Sequence, residues 1–131
     1  MKLWTGGIVG ASGWSGASRN ISEINLAIGN NVVDSFLATP EVAATWFYVI
    51  FNTGLSPTSS LVGHVHAGWA GMVGTSSVYY SAVRDGAYSL GLNRDIQVSV
   101  NQVSGAIRLS VYLPSSLPAA GWKFRGTRLA I

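Results

Sequence analysis

Two alternating segments near the end of the chain constrain the fold more than any other sequence feature. Residues 96–100 are IQVSV and residues 107–111 are IRLSV, so that in both segments every second residue is a branched apolar one. A period of two places the apolar side chains of a strand on one face and the polar side chains on the other. The segments, separated by a polar stretch that contains Gly105, therefore predict a β-hairpin with one buried face.

Further short strand-like segments recur along the chain. Residues 21–28 alternate and, with a turn at Gly29–Asn31, predict a hairpin with residues 32–37. The β-branched and aromatic residues 45–51 (TWFYVIF) predict a strand that is buried on both faces. Other predicted strands lie at residues 3 and 8–9, 78–83, 87–92, 122–124 and 128–131.

Helix signals are scarce in this sequence. Thr39-Pro40-Glu41 has an N-cap hydroxyl, a proline at the first helical position and an acid in the first turn, which predicts one short helical turn. Asp85-Gly86 is a turn signal. We therefore expect a single domain over residues 1–131 with an all-β fold, an antiparallel sandwich or barrel of eight to ten short strands.

Charged residues are unusually rare, and this predicts assembly. They make up 10% of the chain, against about 25% in an average soluble protein. Apolar residues account for 48%, including five tryptophans, which is more apolar surface than a chain of this length readily hides. We expect a homo-oligomer, most simply a trimer, although a dimer also satisfies the composition.

The distribution of charge and hydropathy excludes some partners. The only basic cluster is Lys123, Arg125 and Arg128, too little for a nucleic-acid interface, so we interpret it as part of a terminal strand. No apolar run is long enough to span a bilayer, and the residues after Met1-Lys2 lack the apolar core of a signal peptide. We expect synthesis in a cytoplasm without membrane insertion.

Both histidines lie two residues apart, at His64 and His66. On a strand their side chains share one face, roughly 6 to 7 Å apart at Cβ. Neutral imidazole is the commonest protein ligand for iron, zinc, copper and nickel. The pair is therefore a candidate metal site that needs further ligands from elsewhere, including symmetry-related chains. The alternative is a partly polar strand face without a metal.

Aromatic side chains are the candidate ligand contacts. Apolar sugar faces stack on exposed Trp and Tyr rings, and Trp69, Tyr79 and Trp14 are the first choices. Each of the three rings is alternatively part of the core. The five acids form no obvious catalytic pair, and the chain has neither a G-x-S-x-G elbow nor a phosphate-binding loop with its lysine, so we expect no enzymatic activity.

The sequence also resembles a known class of proteins. A lysine-poor chain rich in Gly, Ser, Thr and Asn, with G-H-x-H at Gly63–His66 and W-x-F-R-G at Trp122–Gly126, is similar to the distal parts of bacteriophage tail fibres and spikes. The resemblance implies a virion-bound homotrimer that binds a bacterial surface glycan or protein. It also implies that His64 and His66 of three chains share a metal ion, iron or zinc, on the trimer axis.

Two other functions agree with the same sequence features. A free-standing oligomeric lectin would have the same β-fold and the same exposed aromatic rings. A viral coat or decoration protein would use its apolar surface for self-assembly alone. Location on a virion and a role in adsorption would separate these alternatives from a fibre or spike.

Overall fold

A computed structural model of the protein describes residues 18–55, 58–69, 78–118 and 120–131. They form eight strands and the short helix α1 (Leu90–Asn93). No helix among them is long and apolar enough to cross a membrane. The strands are β1 (Arg19–Asn25), β2 (Gly29–Leu37), β3 (Ala43–Asn52), β4 (Ser59–Gly68), β5 (Tyr79–Tyr88), β6 (Gln97–Val103), β7 (Ala106–Leu113) and β8 (Lys123–Ala130).

The strands form two antiparallel sheets, which confirms the predicted all-β sandwich. One sheet has five strands in the order β1-β8-β3-β4-β5, and the other has three in the order β2-β7-β6. A shared apolar core holds the sheets together, because burying the inner faces of both removes their apolar side chains from water. Its largest fully buried side chains include Trp46, Trp122, Phe124 and Ile107. The predicted strands at residues 3 and 8–9 lie outside the described residues.

The hairpin at the end of the chain is confirmed. Strands β6 and β7 pair from Gln97 opposite Tyr112 to Val103 opposite Ala106. Ser104 and Gly105 connect them with φ of 50° and 80°, the left-handed conformations that a two-residue hairpin turn requires. The terminal strand predicted from residues 122–124 and 128–131 is confirmed as β8, which is continuous from Lys123 to Ala130.

The predicted hairpin between residues 21–28 and 32–37 is wrong. Strand β1 pairs with β8 in the large sheet, whereas β2 pairs with β7 in the small one. The intervening turn, where Gly29 has a φ of 103°, carries the chain from one sheet to the other. Alternation specifies which face of a strand is buried but not which strand it pairs with. The sequence pattern therefore could not distinguish pairing of β1 with β2 from pairing of β1 with β8.

The prediction that residues 45–51 are buried on both faces is also wrong. In β3 the side chains of Trp46, Tyr48 and Ile50 are buried in the core, but Phe47 on the opposite face is 51% exposed. A two-layer sandwich covers each sheet on one side only. The apolar residues on the other face of β3 therefore remain accessible.

No helical turn forms at Thr39-Pro40-Glu41. The chain bends there, with a cis peptide bond between Thr39 and Pro40. The neighbouring backbone N–H groups are used between strands: Ala38 donates to Gly105 O, and Val42 donates to Ile131 O. These bonds hold both ends of the bend at positions set by the neighbouring strands, so tertiary pairing overrides the local N-cap signal.

The predicted turn at Asp85-Gly86 is a bulge within a continuous strand. Gly63 opposes Arg84 and Val62 opposes Gly86, which leaves Asp85 as the extra residue of β5. A bulge of this kind re-aims a side chain without ending the strand. The segment after it, predicted as a strand over residues 87–92, finishes β5 at Tyr88 and then enters α1.

Candidate functional site

The histidine pair lies on the solvent-facing side of the five-stranded sheet, which we call the outer face. His64 and His66 are alternate residues of β4, and their ring centroids are 4.8 Å apart. The residues between and beside them, Gly63, Val65 and Ala67, are buried on the opposite side. The prediction that the two imidazoles share one strand face is therefore confirmed.

Each imidazole is oriented by a neighbouring strand. The Nδ1 atom of His64 lies 2.7 Å from Oδ2 of Asp85, which the β5 bulge places beside it. The Nδ1 atom of His66 lies 2.9 Å from Oγ1 of Thr45 on β3. Partners of this kind at Nδ1 orient the ring and leave Nε2 as the nitrogen that can bind a metal. The pair is thus arranged as two oriented imidazole ligands.

One chain alone does not complete a metal site. Among the described residues no group of three or more His, Cys, Asp or Glu side chains is placed to hold an ion. Two imidazoles fill only half of a tetrahedral sphere. The donor set fits the predicted metal only if further ligands come from other chains or from solvent.

The surface around the histidines is apolar. Phe47, whose ring centroid is 6.4 Å from that of His64, lies beside the pair on β3. Val62, Val83 and Tyr88 are also exposed on this face. The outer face therefore has the composition of an interface centre, in which charged residues are depleted.

Apart from Asp85 beside His64, the described charges of the outer face lie at its β1–β8 margin. Glu23 pairs with Arg125 at 2.8 Å and with Lys123 at 3.3 Å. The hydrogen bonds from Arg125 and Lys123 lower the pKa of the Glu23 carboxyl from its ordinary value of 4.5. Together with the buried ion pair of Arg128 and Asp34, these contacts engage all three members of the basic cluster seen in the sequence.

Tyr79 lies on the surface, as its predicted role requires. Its side chain is 60% exposed at the start of β5. The ring lies over Gly68, where an added Cβ would be 2.8 Å from the tyrosine Cζ and Oη atoms. Tyr79 and His66 line the same depression of about 390 Å³. Any contact between Tyr79 and a ligand remains a prediction.

The other two aromatic candidates are placed differently. Trp69 is only 6% exposed, and its indole N–H donates to the carbonyls of Ala38 and Glu41 at 2.7 and 2.9 Å. Its ring also meets that of Phe36 edge to face at 5.7 Å. Trp69 thus anchors the bend at residues 38–41 to the core instead of forming an exposed platform. Trp14 lies outside the described residues.

A groove that was not predicted from the sequence lies on the other side of β5. It has a volume of about 310 Å³ and is bounded by the inner side of β5, by Tyr48 and by residues 96–98 at the start of β6. Gly63 was the available signal, since a glycine between β-branched strand residues often marks a close approach by another group. An added Cβ there would be 2.5 Å from the Tyr48 hydroxyl.

Comparison with known proteins gives a fold but no family. No protein-family model and no curated protein matches the sequence. The tailspike protein of Acinetobacter phage vB_ApiP_P1 matches all of this chain with 25% of its own, at a TM-score of 0.52 and 13% identity. The tailspike protein of Acinetobacter baumannii phage AM24 matches 87% of this chain with 25% of its own, at a TM-score of 0.41 and 14% identity.

The chain therefore spans about a quarter of the length of the tailspike proteins that it matches. At such low identity the likeness concerns the fold and not the ligand or the reaction. Within that limit it agrees with the resemblance inferred from the sequence: this chain is similar in fold to part of a phage tailspike protein.

Proposed function

We propose that this chain is a receptor-binding module of a phage tail fibre or tail spike, located on the virion, that assembles as a homotrimer and binds a bacterial surface glycan or protein without cleaving it. The fold shared with part of a tailspike supports the particle-bound role. The observation that carries the proposal is the outer face, where an oriented histidine pair is surrounded by exposed apolar side chains.

The outer face supports assembly because it contains the centre and the rim of an interface. Phe47, Val62 and Val83 surround the histidines, and the ion pairs of Glu23 lie at the margin. Burial of apolar area contributes about 25 cal/mol per Å². Around a threefold axis, each chain would bury one such patch against its neighbours.

The same arrangement would complete the metal site. Three chains bring six imidazoles to one axis, and the Nε2 atoms are those not held by Asp85 or Thr45. Iron or zinc is the expected ion, since both accept imidazole. The ion would act as a structural link between subunits.

Light scattering tests the assembly directly. The wild-type protein is expected to have three times the mass of one chain at micromolar concentration. Phe47→Ser should lower the mass towards that of one chain, because it places a hydroxyl at the centre of the interface. Tyr112→Ser, at an exposed tyrosine of the small sheet, is the matched control and should leave the mass unchanged. A wild-type mass of one chain would refute the oligomer, and a mass of two would replace the trimer with a dimer.

Receptor binding needs a separate experiment. Purified protein should compete with virions for adsorption to host cells, and antibodies against it should block adsorption. Tyr79→Ala should weaken this competition, because its exposed ring is a sugar contact predicted from the sequence. A protein that binds cells but is absent from virions would be a free-standing lectin. One that is on virions but has no effect on adsorption would be a coat or decoration protein.

A binding role without catalysis is supported by the positions of three of the acids. Asp34 is buried in an ion pair with Arg128, Asp85 contacts His64, and Glu23 pairs with two basic residues. A glycosidase instead directs two carboxylates at one bond. Incubation with host capsule or lipopolysaccharide should release no reducing ends.

A further inference from the structure

We infer that the groove between β5 and β6 binds a sugar that carries a carboxylate, with Arg84 facing the carboxylate, Tyr80 stacking on the sugar ring and the Tyr48 hydroxyl donating to a sugar oxygen. This inference rests on the proposed function, because it names the class of surface glycan that the protein recognises. The groove is distinct from the outer face and lies on the opposite side of the same strand.

Arg84 is held in one orientation by backbone carbonyls. Its Nη1 donates to Asn93 O at 3.0 Å, and its Nη2 donates to Arg94 O at 2.6 Å and to Ile96 O at 2.5 Å. These bonds use three of the five N–H donors of a guanidinium group. The side chain is thus preorganised, so binding a ligand costs little further side-chain entropy.

Arg84 forms no ion pair with a carboxylate in the part of the chain that the structure describes. The ion pairs there join Asp34 and Glu23 to other basic residues, and Asp85 contacts the ring of His64. The Nε–H and one Nη1–H remain as donors, so the group attracts a carboxylate by its charge and by a single hydrogen bond. An anionic ligand would therefore gain charge pairing with a cation of fixed position in this groove.

Tyr48 reaches the groove because Gly63 has no side chain. The tyrosine projects from the inner face of β3, and its hydroxyl lies over Gly63 of β4. The Phe124 ring stacks on the Tyr48 ring at 6.0 Å and fixes its direction. Burial raises the pKa of the Tyr48 hydroxyl above its ordinary value of 10.0. The hydroxyl therefore keeps its proton at neutral pH and is available as a donor.

Tyr80 supplies the apolar surface that a sugar ring needs. It is 43% exposed and lies on the groove side of β5, two residues before the small side chain of Ala82. Sugar rings present C–H faces that stack on aromatic side chains. An aromatic ring, a hydroxyl donor and a fixed cation in one groove match an acidic sugar better than a neutral one.

The unpaired edge of β6 offers an alternative occupant. This strand is at the edge of the small sheet, and an edge strand can pair with an extended peptide. However, Ile96 O at the start of this edge already accepts from Arg84, which reduces the free edge. The sugar is thus the favoured ligand, and a peptide that competes with it is an outcome the experiment can detect.

The test is calorimetric titration of the full chain with a glucuronic-acid disaccharide and with the matched glucose disaccharide. The acid should bind at least about tenfold more tightly, which corresponds to about 1.4 kcal/mol. Tyr80→Ala should weaken binding of the acid by about tenfold, as loss of an aromatic contact predicts. Tyr48→Phe keeps the ring, removes only the donor and should weaken binding by about threefold to tenfold.

Two controls separate binding from folding. Tyr112→Ala removes an equally exposed tyrosine on the small sheet and should leave the affinity unchanged. Arg84→Lys keeps the charge but loses the planar group that three carbonyls hold in place, so it should reduce the preference for the acid over the neutral sugar. Circular dichroism and a thermal melt must show each variant folded before its affinity is interpreted.

The outcomes distinguish this inference from the proposed function. The groove assignment would be overturned by equal affinity for the acidic and the neutral sugar, or by wild-type affinity in Tyr80→Ala. It would also be overturned if the groove bound an extended peptide in preference to the sugar. Protein that blocks phage adsorption yet fails these sugar tests would keep the proposed function and lose the inference. Protein that binds the acid through Tyr80 but is absent from virions would keep the groove assignment and refute the proposed function.

Discussion

Replacing Asp34 by alanine should destabilise the protein more than any change on its surface. The Asp34 side chain is fully buried, and both of its oxygens lie 2.8 Å from Nη1 of Arg128. It also accepts from the indole N–H of Trp46 at 2.8 Å and from Nη1 of Arg19 at 2.9 Å. The carboxylate thus links β2 of the small sheet to β3, β8 and β1 of the large one.

The magnitude follows from what the substitution leaves behind. Arg128, with a side chain 5% exposed, would lose its buried counter-ion, and Trp46 would lose its acceptor. Breaking a buried pair on one side typically costs roughly 3 to 5 kcal/mol. The bond from half-exposed Arg19 contributes little, since surface pairs contribute about 0 to 1 kcal/mol. We therefore expect the free energy of unfolding of Asp34→Ala to fall by roughly 3 to 5 kcal/mol.

Urea denaturation at a fixed protein concentration measures this difference, and the fixed concentration matters because assembly adds stability by mass action. Asp34→Asn keeps the shape and part of the hydrogen bonding, so it should lose less. The double variant Asp34→Leu with Arg128→Met removes both charges and should recover most of the loss, as replacing whole buried pairs by apolar residues often does. The reasoning would be refuted by an Asp34→Ala protein within about 1 kcal/mol of wild type.

Three further predictions concern the strands around β4. Gly63→Ala should lower the free energy of unfolding by about 1 to 3 kcal/mol, because the new Cβ would be 2.5 Å from Val83 O. A thermal or urea melt measures this, and an unchanged stability would contradict the close approach. Elemental analysis of untagged protein should find at least one iron or zinc per three chains, and none in the double variant His64→Ala with His66→Ala. Less metal in the wild type would exclude the shared site. Glu23→Gln should be less stable than wild type near pH 7, because a lowered folded pKa stabilises above the unfolded value of about 4.5 and is lost as pH falls through the folded pKa. The difference should shrink as the solution is acidified below that value, and a difference independent of pH would contradict this linkage.

The sequence predicted the fold class and the orientation of side chains better than it predicted strand partners. Period-two alternation correctly placed His64 and His66 on one face and identified the β6–β7 hairpin, because both depend on residues close in sequence. The pairing of β1 with β8 joins residues about a hundred positions apart. Nothing local in residues 21–28 specifies such a distant partner, and the nearby turn signal favoured the wrong one.

The candidate site was predicted in part for the same reason. The histidine pair was found because residues two positions apart on a strand share a face. Tyr79 was found because the residues of its strand alternate between two faces. Trp69 was ambiguous, since a tryptophan after a strand end can be a surface platform or an anchor whose N–H needs an acceptor. The groove was missed because Tyr48 and Arg84 belong to different strands and meet only across Gly63.

Strand β5 connects the two proposed sites. Its residues alternate between the outer face, with Tyr79 and Val83, and the groove, with Tyr80 and Arg84. All ten of its residues are exposed in the single chain, and an edge strand with both faces in water is only marginally held. Arg84 secures it from one side through three carbonyls. Packing of a second copy against the outer face would hold β5 from the opposite side. Assembly would then fix this wall of the groove and lower the entropy cost of binding a ligand there.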